Sequence, residues 1–183
     1  MKMQRTGKLL ISWYTRDQHK KGKSSVVSTK KEKKFKKMQG KLSHEWEVRV
    51  AASIVWETYG TIELGKLVVQ LLPNVVEKVE VVEGDGGVDT VLAVTFLEGT
   101  RGFNFFKEKF VKIDNEKFVK ETEVVEGGYL LVGFILYRIR LEIIEKDIGA
   151  SIIRSTVEYE TGEGYASNPS DAGGDCPSRR QAS

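Results

Sequence analysis

The chain has 183 residues, 40% of them hydrophobic and 30% charged, enough for one globular domain with a buried core and extensions. Its formal charge of +3 hides a division: residues 1–40 carry 13 Lys/Arg against 2 Asp/Glu, whereas residues 41–183 carry 16 against 24. So acidic a body argues against a nucleic-acid-binding core, which needs clustered Lys/Arg to neutralise phosphates, and the single cysteine, Cys176, excludes an intrachain disulfide.

Residues 1–37 end in the lysine run KKEKKFKK, which has no apolar period and repels itself, so a disordered basic arm is expected. A nuclear-import patch or a tether to an anionic surface are the functional alternatives for it. The apolar stretch LLISWY at 9–14 is too short to span a membrane and lacks the cleavage site of a secretory signal. A soluble intracellular protein is expected, cytoplasmic and also nuclear, without membrane or nucleic-acid partners. No Cys/His grouping has metal-ligand spacing, and neither metal nor cofactor is expected.

The body begins with LSHEWEVRV (42–50), whose Leu42, His44, Trp46, Val48 and Val50 share one face of a strand. AASIVWETYG and TIELGKLVVQLL follow. Their apolar residues recur at helical spacing, Ile54, Val55 and Tyr59 and then Leu64, Leu67, Val68, Leu71 and Leu72, and predict two short helices, the second stopped by Pro73. Six runs rich in Val, Ile, Phe and Thr come next, at 75–83, 88–98, 103–113, 116–125, 130–145 and 150–160. Short connections make them an antiparallel meander, and the fold class is α+β: a curved seven-stranded sheet with two helices against its concave face. Residues 161–183 are rich in Gly, Ser, Pro and Asp and read as a tail.

Between the first two of these runs, VVEGDGGVDT (81–90) sets Gly84, Gly86 and Gly87 in what resembles a phosphate cradle. Such a cradle needs a helix after the glycines, and in the Walker type a Lys-Ser/Thr pair within it. A strand is predicted there instead, and Asp85 and Asp89 repel phosphate, so the stretch is a hairpin loop. EGGYL (126–130) reads as a turn requiring positive φ.

Period-2 alternation places Phe106, Glu108 and Phe110 on one face, and Phe118, Lys120, Thr122 and Val124 likewise. On the long run the odd residues Leu131, Ile135, Tyr137, Ile139, Leu141 and Ile143 face inward, opposite Arg138, Arg140 and Glu142. Glu108 and Lys120 sit on consecutive strands joined near Asn115. In an apolar cleft such an acid and amine shift in pKa and exchange protons with a ligand; the alternative is a structural ion pair. His44 reads as a structural histidine. Ser151, Ser155 and Thr156 have no histidine partner suggested by spacing, so no nucleophilic triad is predicted.

The segments KLSHEWEVRVAASIVWETYG, LLPNVVEKVEVVEGDGGVDTVLAVTF, FFKEKF, DNEKFVKETEVVEGGYL and IIRSTVEYE together resemble the birch-pollen-allergen (Bet v I, class-ten pathogenesis-related) family, and within it the plant norcoclaurine synthases. The resemblance covers about residues 38–160. It implies a helix-grip fold with an internal cavity for hydrophobic or aromatic small molecules, the glycine loop and Tyr129 lying at its rim. In that family a long C-terminal helix follows the last strand. Here the Gly/Ser/Pro tail follows Glu160, so that helix is expected to be missing, leaving Phe106, Phe110, Phe118, Tyr137 and Ile139 as an exposed apolar patch.

Norcoclaurine synthases condense dopamine with 4-hydroxyphenylacetaldehyde. By resemblance, Lys120 matches their catechol-engaging lysine and Glu108 their proton-transferring acid. Phe106 stands where they have a tyrosine and Ile139 where they have an aspartate. The implied function is binding of a hydrophobic or aromatic small molecule, a plant hormone or specialised metabolite. Roles in defence and in abscisic-acid-type signalling, with a protein phosphatase as partner, come with the resemblance. Norcoclaurine-synthase-like condensation is the alternative.

Overall fold

The β-branched runs resolve into strands in the computed structural model, which describes residues 37–100 and 102–162. Strand β1 (Gln39–Val48) leads into helices α1 (Ala52–Tyr59) and α2 (Glu63–Leu71). Strands β2 (Val76–Glu83), β3 (Val91–Phe96), β4 (Phe105–Asp114) and β5 (Val119–Gly127) follow. A 3₁₀ turn (Gly128–Val132) then precedes β6 (Phe134–Asp147) and β7 (Ala150–Thr161). The expectations for the arm, the tail and a missing C-terminal helix fall almost entirely on residues outside those described.

All seven strands form one antiparallel sheet in the order β1-β7-β6-β5-β4-β3-β2. Strands β2 to β7 are the expected meander, and β1 returns to pair with β7 from Gln39↔Glu160 to Val48↔Ser151. This pairing is clamped at its end by Thr161, whose N–H donates to the Met38 carbonyl at 2.8 Å and whose Oγ1 accepts from the Met38 N–H at 3.2 Å. Lys37 and Glu160 form an ion pair beside it.

Helix α1 buries Ala52, Val55, Trp56 and Tyr59, a true i, i+3, i+4, i+7 stripe. Ile54, expected on that stripe, is exposed. The Trp56 indole donates to Asn115 Oδ1 at 3.0 Å, pinning α1 to the β4–β5 turn. Two apolar clusters result. One gathers Phe96, Phe103, Phe106, Phe134, Tyr137 and Tyr159 with Val68, Val69 and Leu72 near the α2 end. The other gathers Val55, Trp56 and Tyr59 with Leu141, Ile143 and Ile153. Ile139 packs against both.

Three expectations are corrected. Phe106, Phe110 and Tyr137 are buried and Phe118 and Ile139 half-buried, so they are not an exposed patch: Phe106, Phe118, Tyr137 and Ile139 pack within these clusters, and Phe110 lies against the Lys120 ammonium. The inward odd set on β6 begins only at Tyr137, because a register shift between Phe134 and Leu136 inverts the alternation, as bulges do. Phe134 is therefore buried while Ile135 is 58% exposed, and Leu131, on the 3₁₀ turn, is 67% exposed. Phe118 lies outside the β5 alternation. With φ of +53° it precedes the strand and tilts against the Trp56 ring.

The glycine loop is a hairpin turn between β2 and β3. Gly84 and Gly86 have φ of +87° and +104°, and a Cβ on Gly84 would lie 2.7 Å from the Thr90 Cα. The Gly86 N–H, which a phosphate cradle would aim at its ligand, donates to Thr90 Oγ1 at 2.9 Å. Gly127 and Gly128 also take positive φ, as the turn reading of EGGYL requires. On the outer face the charges pair across strands, Arg138 with Glu123, Arg140 with Glu121, and Arg154 with Glu45 and Glu142.

Candidate functional site

The antiparallel ladders align residues into rows across the concave face, because directly paired residues project to the same side. One row runs Ile113, Lys120, Leu141, Ser155, His44. The next runs Phe110, Thr122, Ile139, Val157, and a third Leu92, Glu108, Val124. Lys120 and Glu108 are thus in alternate rows with Phe110 and Thr122 between them. A bulge between Phe110 and Lys112 sets this diagonal arrangement, which sequence spacing alone does not reveal.

Where these rows pass beneath α2 they line a partly open cavity of about 100 Å³, of the same order as the roughly 150 Å³ apolar cavity that admits benzene in another protein. Its walls are largely aliphatic: Leu64 and Val68 from α2, Val79, Leu92 and Val94 from β2 and β3, Ile139 and Leu141 from β6. Gly65 belongs to the wall because α2 lies close on β2: a Cβ there would meet Val79 Cγ1 at 2.8 Å. The polar lining consists of Thr61, Glu108, Lys120, Thr122 and Ser155.

Lys120 is 3% exposed. Its ammonium donates to the Thr61 carbonyl at 3.0 Å and lies 3.7 Å from the centroid of the Phe110 ring, where a cation meets the negative face of the aromatic system. Thr61 sits in the link between α1 and α2, outside both helical spans, which leaves its carbonyl directed at the lysine. Burial lowers the Lys120 pKa to about 8, although the charge of Glu108 opposes the change.

Glu108 retains some accessible surface, but that surface faces the cavity, so the carboxyl is withdrawn from bulk water. Burial raises its pKa, with the Lys120 charge and the hydrogen bond from Thr122 Oγ1, at 3.0 Å, pulling the other way. Each group is displaced toward its neutral form, as desolvation dictates. An acid that holds its proton longer and an amine that releases its proton sooner share one apolar chamber, the combination required for proton transfer to and from a bound molecule.

The other residues singled out from sequence divide in two. Ile139 lines the cavity, and Phe110, fully buried, lies against the Lys120 ammonium. Phe106, Tyr129 and Tyr137 belong instead to the adjoining aromatic cluster, in which Tyr129 stacks on Tyr137 at 4.1 Å and meets Phe103 edge-on at 5.2 Å. Phe118 is in the other cluster, and Gly84, Gly86 and Gly87 form the β2–β3 turn. Sequence reasoning missed Thr61 and the helix residues Leu64 and Val68 as wall. It weighed Ser155 only as a nucleophile. His44 does pair in register with Ser155, but its ring stacks on Trp46 and its Nδ1 is 3.2 Å from the Glu45 carbonyl, so no triad is formed.

A family model described as the pathogenesis-related protein Bet v 1 family matches residues 37–173. Norbelladine synthase of Narcissus pseudonarcissus is 54% identical over 133 residues, 73% of this chain and 82% of that protein. S-norcoclaurine synthase 1 of Papaver somniferum is 40% identical over 135 residues, 73% of this chain but only 58% of that protein's length. Among solved structures, norcoclaurine synthase from Thalictrum flavum in complex with dopamine and hydroxybenzaldehyde superposes with a TM-score of 0.62 at 31% identity. The match covers 76% of this chain and 80% of that one.

Proposed function

The chain belongs to the pathogenesis-related protein Bet v 1 family, and on that premise we propose that its cavity binds an aromatic amine and condenses it with an aldehyde. The carrying observation is the convergence of Glu108 and Lys120 in a chamber otherwise lined mainly by aliphatic side chains. The similarity to two synthases, and to the Thalictrum flavum norcoclaurine synthase crystallised with dopamine and hydroxybenzaldehyde, supports the same reading. The cavity holds about one ring, so the second reactant enters from its open side.

In this scheme the amine nitrogen attacks the aldehyde carbon, and the carbonyl oxygen becomes a hydroxyl. The Glu108 carboxyl donates a proton as that hydroxyl leaves as water, giving an iminium ion. Lys120 in its neutral form removes a proton from a ring hydroxyl of the amine, which makes a ring carbon nucleophilic. That carbon closes on the iminium carbon, the Glu108 carboxylate takes the ring proton, and the Lys120 ammonium returns its proton to the ring oxygen. The sum is one amine and one aldehyde joined with loss of one water.

Incubating the full chain with dopamine and 4-hydroxyphenylacetaldehyde, with chiral chromatography of the product, tests this. An enantiomeric excess that disappears in Lys120→Ala and in Glu108→Gln is expected; racemic product at the buffer rate rejects catalysis. Phe106 and Ile139, where polar groups belong by resemblance, favour a second reading, binding of an apolar aromatic ligand without turnover. Saturable binding of dopamine with no product is its signature. A hormone-carrying role with a phosphatase partner draws support from the resemblance alone, and an absence of heat on titration with abscisic acid would reject it.

A further inference from the structure

The row that carries Lys120 runs through Leu141 to a second polar group that the scheme above leaves unused. Ser155 pairs with Leu141, which pairs with Lys120. Two strand spacings, about 10 Å between Cα atoms, therefore separate the serine from the lysine on the same face. Ser155 is 4% exposed and lines the cavity. Its backbone is held in the β1 and β6 ladders, yet no described residue hydrogen-bonds its hydroxyl. The neighbouring hydroxyls are all engaged within the protein: Thr122 on Glu108, Ser151 on the Val50 carbonyl at 2.8 Å, Thr156 with Ser43 at 2.9 Å on the opposite face.

A buried hydroxyl without a protein partner is costly, and native structures seldom retain one unless something else satisfies it. We infer that Ser155 is a specificity-determining residue that hydrogen-bonds a phenolic hydroxyl on the ring bound in the cavity. The chemistry of the site selects that group. A hydroxyl both donates to and accepts from serine. A carboxylate at this end would be buried with Lys120, two strands away, as the one cation among the cavity's lining residues to offset its charge. Leu141 and Ile139, beside Ser155, supply an apolar wall for the ring itself. This inference rests on the cavity accepting a small aromatic molecule and is independent of whether condensation follows.

The test compares 4-ethylphenol with ethylbenzene, neutral probes that differ by the one hydroxyl, by calorimetric titration of the full chain. The wild type is expected to prefer the phenol over the hydrocarbon by several-fold more than Ser155→Ala does, roughly tenfold for one buried hydrogen bond. Ethylbenzene affinity should be nearly equal in the two proteins, which also verifies that the variant is folded. Lys120→Met separates the lysine from the serine as the group that reads the hydroxyl. Preference retained in Lys120→Met and lost in Ser155→Ala supports the inference. Preference retained in Ser155→Ala and lost in Lys120→Met overturns it while leaving an aromatic site. Binding of neither probe to the wild type overturns the aromatic reading and the inference with it.

Discussion

Lys120 concentrates the electrostatic cost of the site, and linkage makes that cost measurable. Its pKa is about 8 in the folded protein against 10.5 for a free lysine. Between those values the unfolded chain binds the proton and the folded chain does not, so stability rises with pH across that window and is flat below it. The gap is worth about 3 kcal/mol. Relative to Lys120→Met, wild type should therefore gain up to about that much between pH 8 and 10.5, as read from urea unfolding of both proteins at each pH. A constant difference would place the amine in a wetter setting than the cavity. Glu108 runs the other way: its raised pKa makes the folded state hold the proton longer, so its contribution falls as pH rises above 4.5. At Gly84 the constraint is steric. Alanine there meets the Thr90 backbone at positive φ, and Gly84→Ala should cost about 2 kcal/mol or more, seen as a lower urea midpoint with unchanged slope.

At the scale of elements, the bulge at the start of β6 decides which side chains reach the core. Phe134→Ala should destabilise by about 3–5 kcal/mol, whereas Ile135→Lys, on a residue that simple alternation would bury, should stay within about 0.5 kcal/mol. Thermal unfolding of the two variants distinguishes this phase from an uninterrupted strand. The individual strands were legible because each carries its own period-2 pattern between turn residues, and helix α2 was legible from its apolar stripe and Pro73. The bulges were not. A bulge is a mismatch between two strands, and no single run of sequence contains it. For the same reason the 3₁₀ turn at Gly128–Val132 was absorbed into the run that begins at 130: its apolar residues continue the composition of the strand that follows.

For the molecule as a whole, the decisive contact joins its most distant parts. Strand β1 pairs with β7 more than a hundred residues later, as in His44↔Ser155, and the second cluster joins Val48 of β1 to Ile153 of β7. Such non-local pairing implies slow folding, milliseconds to seconds by analogy with other β-rich domains. Stopped-flow refolding followed by tryptophan fluorescence should show it, Trp46 and Trp56 reporting on β1 and α1. Microsecond refolding would mean that β1 is not needed to complete the core.

Local pattern was sufficient for the α+β class, the meander, the positive-φ turns, and the presence of one acid and one amine on the inner faces of adjacent strands. These are properties of periodicity and of single residues, which a linear reading contains. Register, by contrast, is set between strands, and only the assembled sheet decided that Thr61 would cap the lysine, that Thr122 would bond the acid, and that Leu141 would put Ser155 in line with Lys120. It also moved Phe106, Tyr129 and Tyr137 out of the cavity and into the cluster beside it. A side chain's face can be read from its own strand, but its neighbours depend on where distant strands come to rest.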